Sequence, residues 1–207
     1  MPTRVKICGI TRIEDGLLAA RLGADAIGLV FFAQSPRNVA LPQAAAIGRA
    51  LPPFVSTVGL FVNPRREQVE AALAAVRPDL LQFHGEEAPE LCRSFGVPYL
   101  KAVRVKPGLD LLQYATRYCD ARGLLLDAFV EGQHGGTGRS FDWGLIPRGL
   151  PLPVVLSGGL EPGNVAAAIK RVGPWAVDVS SGVEAAKGIK DAAKLAAFMQ
   201  GVRNADV

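Results

Sequence analysis

The chain has little of what staples or wires a small fold. Only three cysteines occur among its 207 residues. Cys8, Cys92 and Cys119 are odd in number and widely spaced, so they form no disulfide framework, match no zinc-ligand spacing and suit a reducing cytoplasm. Charge of one sign is scarce too: 23 Lys and Arg against 19 Asp and Glu leave a net +4, and Arg65-Arg66 is as dense as the cations get. A nucleic-acid surface needs clustered cations, so that class is excluded, while a mild excess suits an anionic small molecule. Long hydrophobic runs are missing. The longest uncharged stretch, 50–64, is shorter than the roughly 20 residues of a spanning helix and contains Pro52 and Pro53, which excludes a membrane segment. Residues 1–12 carry Arg4 and Lys6 without an apolar core, so no secretory leader is expected. No linker, low-complexity segment or break in composition divides the chain, and one domain over 1–207 is expected.

What the sequence does contain is alternation. Short apolar, β-branched runs at 5–8, 26–31, 57–62, 80–84, 99–105, 123–127, 154–157 and 176–180 are separated by Ala/Leu-rich stretches of helical character. Those helices read from Ile13, Pro42, Arg65, Glu87, Gly108, Asn164 and Asp191, with a short one at 142–146. This is the pattern of βαβ units on a parallel sheet. Eight strands favour the α/β class in its closed (β/α)8, or TIM barrel, form, although the length is near its lower limit. An open doubly wound sheet is the alternative, weakened because no Gly-x-Gly-x-x-Gly turn follows the first strand.

A barrel collects its functional groups where strands end. Cys8, His84, Asp127 and Ser180 close strands 1, 4, 6 and 8. Strand residues alternate faces, so Lys6 goes with Cys8, Gln82 with His84, and Asp178 with Ser180, while Val5, Ile7, Val177 and Val179 face the helices. Three glycine turns follow strands 6, 7 and 8: Gly135-Gly136-Thr137-Gly138, Ser157-Gly158-Gly159 and Ser180-Ser181-Gly182. Each alone is only a tight turn, but three together, two of them in the gaps where barrels hold phosphate, point to an anion site.

Four side chains carry candidate chemistry, each with a plainer alternative. Cys8 is a base or nucleophile if nearby cations lower its pKa, or else a buried inert thiol. Asp127 emerges from the apolar run Gly123-Leu-Leu-Leu, where desolvation favours a neutral acid able to donate a proton, or else it is a structural, hydrogen-bonded carboxylate. His84 competes for a catalytic role or serves as a satisfied core histidine. Arg37, after Ser35-Pro36, can grip a carboxylate through two parallel bonds, as many loop arginines do not.

Taken in order, Lys6-Ile-Cys-Gly-Ile-Thr11, Ser35-Pro-Arg37, Gly59-Leu-Phe-Val62, Gln82-Phe-His-Gly85, Leu125-Leu-Asp127, Gly135-Gly-Thr-Gly138, Phe141-Asp-Trp143, Ser157-Gly-Gly-Leu160 and Asp178-Val-Ser-Ser-Gly-Val-Glu184 span nearly the whole chain. The sequence thereby resembles the phosphoribosylanthranilate isomerase family of tryptophan biosynthesis. The departures are mild: Phe83 stands where leucine is frequent, and Ala33-Gln34 lies at variable positions. The resemblance implies an Amadori rearrangement on a (β/α)8 barrel, with Cys8 as general base and Asp127 as general acid. It places Arg37 near the anthranilate carboxylate and assigns substrate binding also to His84, Gly136, Thr137, Gly138, Gly158, Gly159, Asp178, Ser180, Ser181 and Gly182. The implied partner is a small phosphoribosyl substrate bearing an aromatic carboxylate, with no nicotinamide, flavin or metal. A phosphoribosyl isomerase of histidine biosynthesis is the nearest rival; that family resembles an aspartate pair, and Cys8 occupies one of the two places here. Indole-glycerol-phosphate synthase lacks its lysine and glutamate motifs in this chain, and a non-catalytic sugar-phosphate sensor would have no use for Cys8, Asp127 and Arg37 together.

Overall fold

The computed structural model describes residues 2–128 and 141–205. Eight parallel strands close into a barrel: β1 (Arg4–Ile7), β2 (Ala26–Val30), β3 (Ser56–Phe61), β4 (Leu80–Phe83), β5 (Tyr99–Val105), β6 (Gly123–Ala128), β7 (Val154–Leu156) and β8 (Ala176–Val179), with β8 pairing back onto β1. The open-sheet alternative is thereby excluded. Helices α1 (Ile13–Leu22), α2 (Leu41–Ala50), α3 (Arg66–Ala75), α4 (Pro89–Arg93), α5 (Leu111–Arg117), α6 (Val165–Val172) and α7 (Ala192–Ala205) pack outside. Their starts follow local chemistry. Asp110 caps α5 by accepting from the amides of Leu112 and Gln113, and α4 opens on proline, whose fixed φ suits a first turn. The helix expected at 142–146 is a 3₁₀ turn, Trp143–Leu145, capped by the Asp142 carboxylate at 2.8 Å from the Gly144 amide.

Alternation along the strands separates two cores. Val5, Ile7, Ile27, Leu29, Val177 and Val179 point outward into the helices, where Phe198, Leu195 and Ile47 meet them. Inside the cylinder, Leu100, Ala102, Leu125, Val155 and Ala176 fill the N-terminal end. Above them lie Lys6, Gln82 and Asp178, all buried. Lys101 breaks the pattern. It lies on β5 between Leu100 and Ala102, so it points away from the barrel axis, yet it is fully buried and paired with Glu87 at 2.9 Å.

One element was not foreseen. After β8 and the 3₁₀ turn Ser181–Val183, the chain folds into an antiparallel hairpin, β9 (Glu184–Ala186) and β10 (Ile189–Lys190), before α7.

Candidate active site

Cys8, Arg37, His84, Asp127, Asp178 and Ser180 line one cavity at the C-terminal mouth of the barrel. Strand ends deliver most of them, as barrel geometry requires. Cys8 immediately follows β1, its amide donating to the Val179 carbonyl at 2.8 Å. Below it Lys6 and Asp178, in register across β1 and β8, form a buried ion pair of 2.8 Å. The second Asp178 oxygen accepts from the Ser157 hydroxyl at 3.2 Å. Asp178 thus reaches the cavity with both oxygens engaged, and its first role is to neutralise Lys6.

Burial raises the Cys8 thiol above its usual pKa, and Asp178 adds to this; Lys6 and Lys190 pull the other way without prevailing. The cations expected from the sequence are present, but the depressed thiol they were to create is not. For Lys6 the balance is reversed: burial lowers its pKa, but Asp178 and Cys8 carry it above the ordinary value.

Asp127 sits within β6 and presents both oxygens to donors. Oδ1 accepts from the Ala128 amide at 2.8 Å, and Oδ2 meets His84 Nε2 at 3.1 Å. Gln82 Nε2 lies 2.9 Å from His84 Nδ1. An amide nitrogen only donates, so in this arrangement Nδ1 accepts and the imidazole proton faces Asp127. The apolar setting inferred from Gly123-Leu-Leu-Leu belongs to the strand; the tip of the carboxyl is supplied with hydrogen bonds. His84 is itself held from both sides, because Lys101 Nζ donates to the carbonyls of Phe83 at 3.3 Å and Gly85 at 2.6 Å.

Arg37 also departs from expectation. Its Nε and Nη2 grip Glu184 at 2.7 and 2.8 Å, and Lys190 joins the same carboxylate at 3.1 Å. Burial would raise the Glu184 pKa, but Arg37 and Lys190 together hold it below the usual carboxylate value. The bidentate grip expected for a ligand is therefore made within the protein, leaving the outer Nη1/Nη2 edge for an incoming anion.

The glycine turns after β7 and β8 meet beside these residues. Gly158 has φ +83° and a Cβ there would lie 2.5 Å from the Ala128 nitrogen and 2.9 Å from Asp127 Oδ1, so only glycine lets this turn run against β6. Gly159 follows it in the same turn, and Ser181 and Gly182 lie in the 3₁₀ turn after β8. Ser180 Oγ is buried with no hydrogen-bond partner among the described residues. Loops after strands 7 and 8 with a short extra helix are the usual phosphate cradle of this architecture. Gly136, Thr137 and Gly138 lie outside the described residues.

Sequence reasoning missed the grip of Glu184 and Lys190 on Arg37 and the hydrophobic wall of Val30, Phe32, Leu60 and Val62. Glu184 closes the last matched motif, which was the available signal. Val30, Leu60 and Val62 occupy strand ends that read simply as core.

The family model of N-(5'phosphoribosyl)anthranilate (PRA) isomerase matches residues 5–201. An N-(5'-phosphoribosyl)anthranilate isomerase of Nitrosospira multiformis is 60% identical over 98% of this chain and 97% of its own length. One of Azotobacter vinelandii is 61% identical over 98% of each chain. The crystal structure of phosphoribosyl anthranilate isomerase from Thermotoga maritima superposes with a TM-score of 0.88 at 42% identity, covering 98% of this chain and 99% of that one. Another solved phosphoribosyl anthranilate isomerase, with TM-score 0.85, 42% identity and the same coverage, is in complex with reduced 1-(o-carboxyphenylamino)-1-deoxyribulose 5-phosphate. With the motifs, the barrel and the relatives in agreement over almost every residue, this chain belongs to the phosphoribosylanthranilate isomerase family.

Proposed function

We propose that this chain converts N-(5'-phosphoribosyl)anthranilate into 1-(2-carboxyphenylamino)-1-deoxyribulose 5-phosphate in the cytoplasm, with Cys8 as general base and Asp127 as general acid. Family membership over residues 5–201 supports the reaction, and three free cysteines accord with a reducing compartment. Among the described residues no helix is long and apolar enough to cross a membrane. The observation that carries the residue roles is that Cys8 and Asp127 line one cavity beside the glycine turns after β7 and β8.

The chemistry follows from this placement. Asp127 gives a proton to the furanose ring oxygen as the anilino nitrogen's lone pair breaks the C1–O bond and leaves an iminium. That cation acidifies the C2 hydrogen, which the Cys8 thiolate removes, and the electrons form an enolamine. The 2-hydroxyl then loses a proton and C1 gains one, giving the ketone with no net change in atoms or charge. Each catalysed proton transfer contributes about 10²–10⁴-fold. The step requires Asp127 in its acid form, and His84 Nε2, 3.1 Å away, holds the carboxyl in place. Phosphate lies against the amides of Gly158, Gly159, Ser181 and Gly182 with Ser180. The carboxylate takes the free edge of Arg37, with the aromatic ring against Phe32 and Leu60.

Substrate generated from anthranilate and phosphoribosyl pyrophosphate by a transferase is fluorescent and labile, so its decay reads turnover. Rapid decay with this protein, lost in Cys8→Ala, supports the proposal. Saturable binding without decay overturns it in favour of a sugar-phosphate sensor.

A further inference from the structure

The mechanism above gives the buried cation beside Cys8 no task. Lys6 lies inside the barrel, two residues before Cys8 on the same face of β1, with its ammonium 2.8 Å from Asp178. Glycine at position 28 of β2 leaves the space between these groups open: a Cβ there would stand 2.7 Å from Cys8 Sγ and 3.2 Å from Lys6 Nζ. The two atoms therefore abut the same patch of backbone. The other charges around the sulfur are committed elsewhere. Arg37 and Lys190 both bind Glu184, Lys190 also donates to the Ser180 carbonyl at 3.1 Å, and Asp127 pairs with His84 on the far side of the cavity. A thiolate formed among Val30, Leu60 and Val62 has little water to stabilise it and needs a cation from within the barrel.

We infer that Lys6 is the positioning residue of Cys8, its ammonium divided between the Asp178 carboxylate and the sulfur so that a thiolate can form in a dry pocket. This rests on the proposed role of Cys8 as base and assigns that base its counter-ion. The arrangement makes Asp178 a brake: the carboxylate draws Lys6 away from the sulfur and adds a negative charge beside it. Removing the cation and removing the brake must therefore move the thiol in opposite directions.

The test is the pH dependence of iodoacetamide alkylation of the intact protein, followed on the Cys8 peptide by mass spectrometry. In Lys6→Gln, which keeps a donor for Asp178 but no charge, the alkylation profile should move at least one pH unit to the alkaline side, a loss of about tenfold at any pH below it. Lys6→Arg should recover part of the shift. Asp178→Asn should move the profile to the acid side. A folded Lys6→Gln protein with the wild-type profile overturns the inference. If Lys6→Gln does not fold, an Asp178→Asn profile that fails to move to the acid side overturns it equally. Full activity in Cys8→Ala removes Cys8 as the base without touching these titrations, whereas a Cys8-dependent enzyme with unshifted titrations sinks the role of Lys6 alone.

Discussion

At the N-terminal end of the barrel Leu100, Ala102, Leu125, Val155 and Ala176 fill the interior with apolar side chains, whereas the C-terminal half of the same cylinder holds Lys6, Gln82, Asp127 and Asp178. The first end gains free energy from every buried methyl group, at about 25 cal/mol per Å². At the second, each buried charge is tolerable only because a partner lies within hydrogen-bond reach, as in Lys6–Asp178 and Arg37–Glu184. One end therefore stabilises the fold and the other spends part of that stability on a dry, charged site.

The contrast breaks most visibly in the rate. Cys8→Ala and Asp127→Asn should each lower kcat by about 10²–10⁴-fold with little change in the urea midpoint. Because burial lifts the Cys8 thiol, the rate of its alkylation by iodoacetamide should still be climbing as pH rises from 8 towards 9; a rate already level by pH 8 would contradict the raised thiol. Glu184→Ala comes next. It strands Arg37 and Lys190 in a buried place and should cost about 3–5 kcal/mol in urea unfolding, together with a raised KM. Leu125→Ala, at the apolar end, should cost about 2–5 kcal/mol yet leave kcat close to wild type in the substrate-decay assay. The smallest effect belongs to the surface: Glu70→Gln removes an exposed pair with Arg66, 3.5 Å apart, and should change stability by less than about 0.5 kcal/mol. A large loss there would mean that the energetic division between the barrel's interior and its surface is misdrawn.

Much of the polar half was legible because strands alternate with a period of two. Lys6 with Cys8, Gln82 with His84, and Asp178 with Ser180 were placed on one side by parity alone, and the structure puts all six inside the barrel or at its mouth. The strand ends fell within one or two residues for the same reason, since each apolar run stops where side chains leave the core. Lys101 shows where parity alone is not enough. It sets the lysine facing outward, but not that Glu87 and the Tyr118 ring would bury it there beneath the loop carrying His84. The grip of Glu184 on Arg37 joins residues 147 positions apart and leaves no local mark, and the hairpin of Glu184–Ala186 with Ile189–Lys190 is too short to show a period. The sequence left the pKa of Cys8 open, because counting nearby cations does not tell how completely the sulfur is removed from water.

The hairpin also imposes an order of completion. Glu184 holds Arg37 from the second unit, and the Lys190 amide donates to Asp15 of the first helix across 175 positions. A ribosome releases Cys8 and Arg37 early, but their surroundings are finished only when the segment carrying Glu184 and Lys190 emerges. Nascent chains stopped short of it should be chemically silent, because the last portion of polypeptide to be made is the one that holds Arg37 in place.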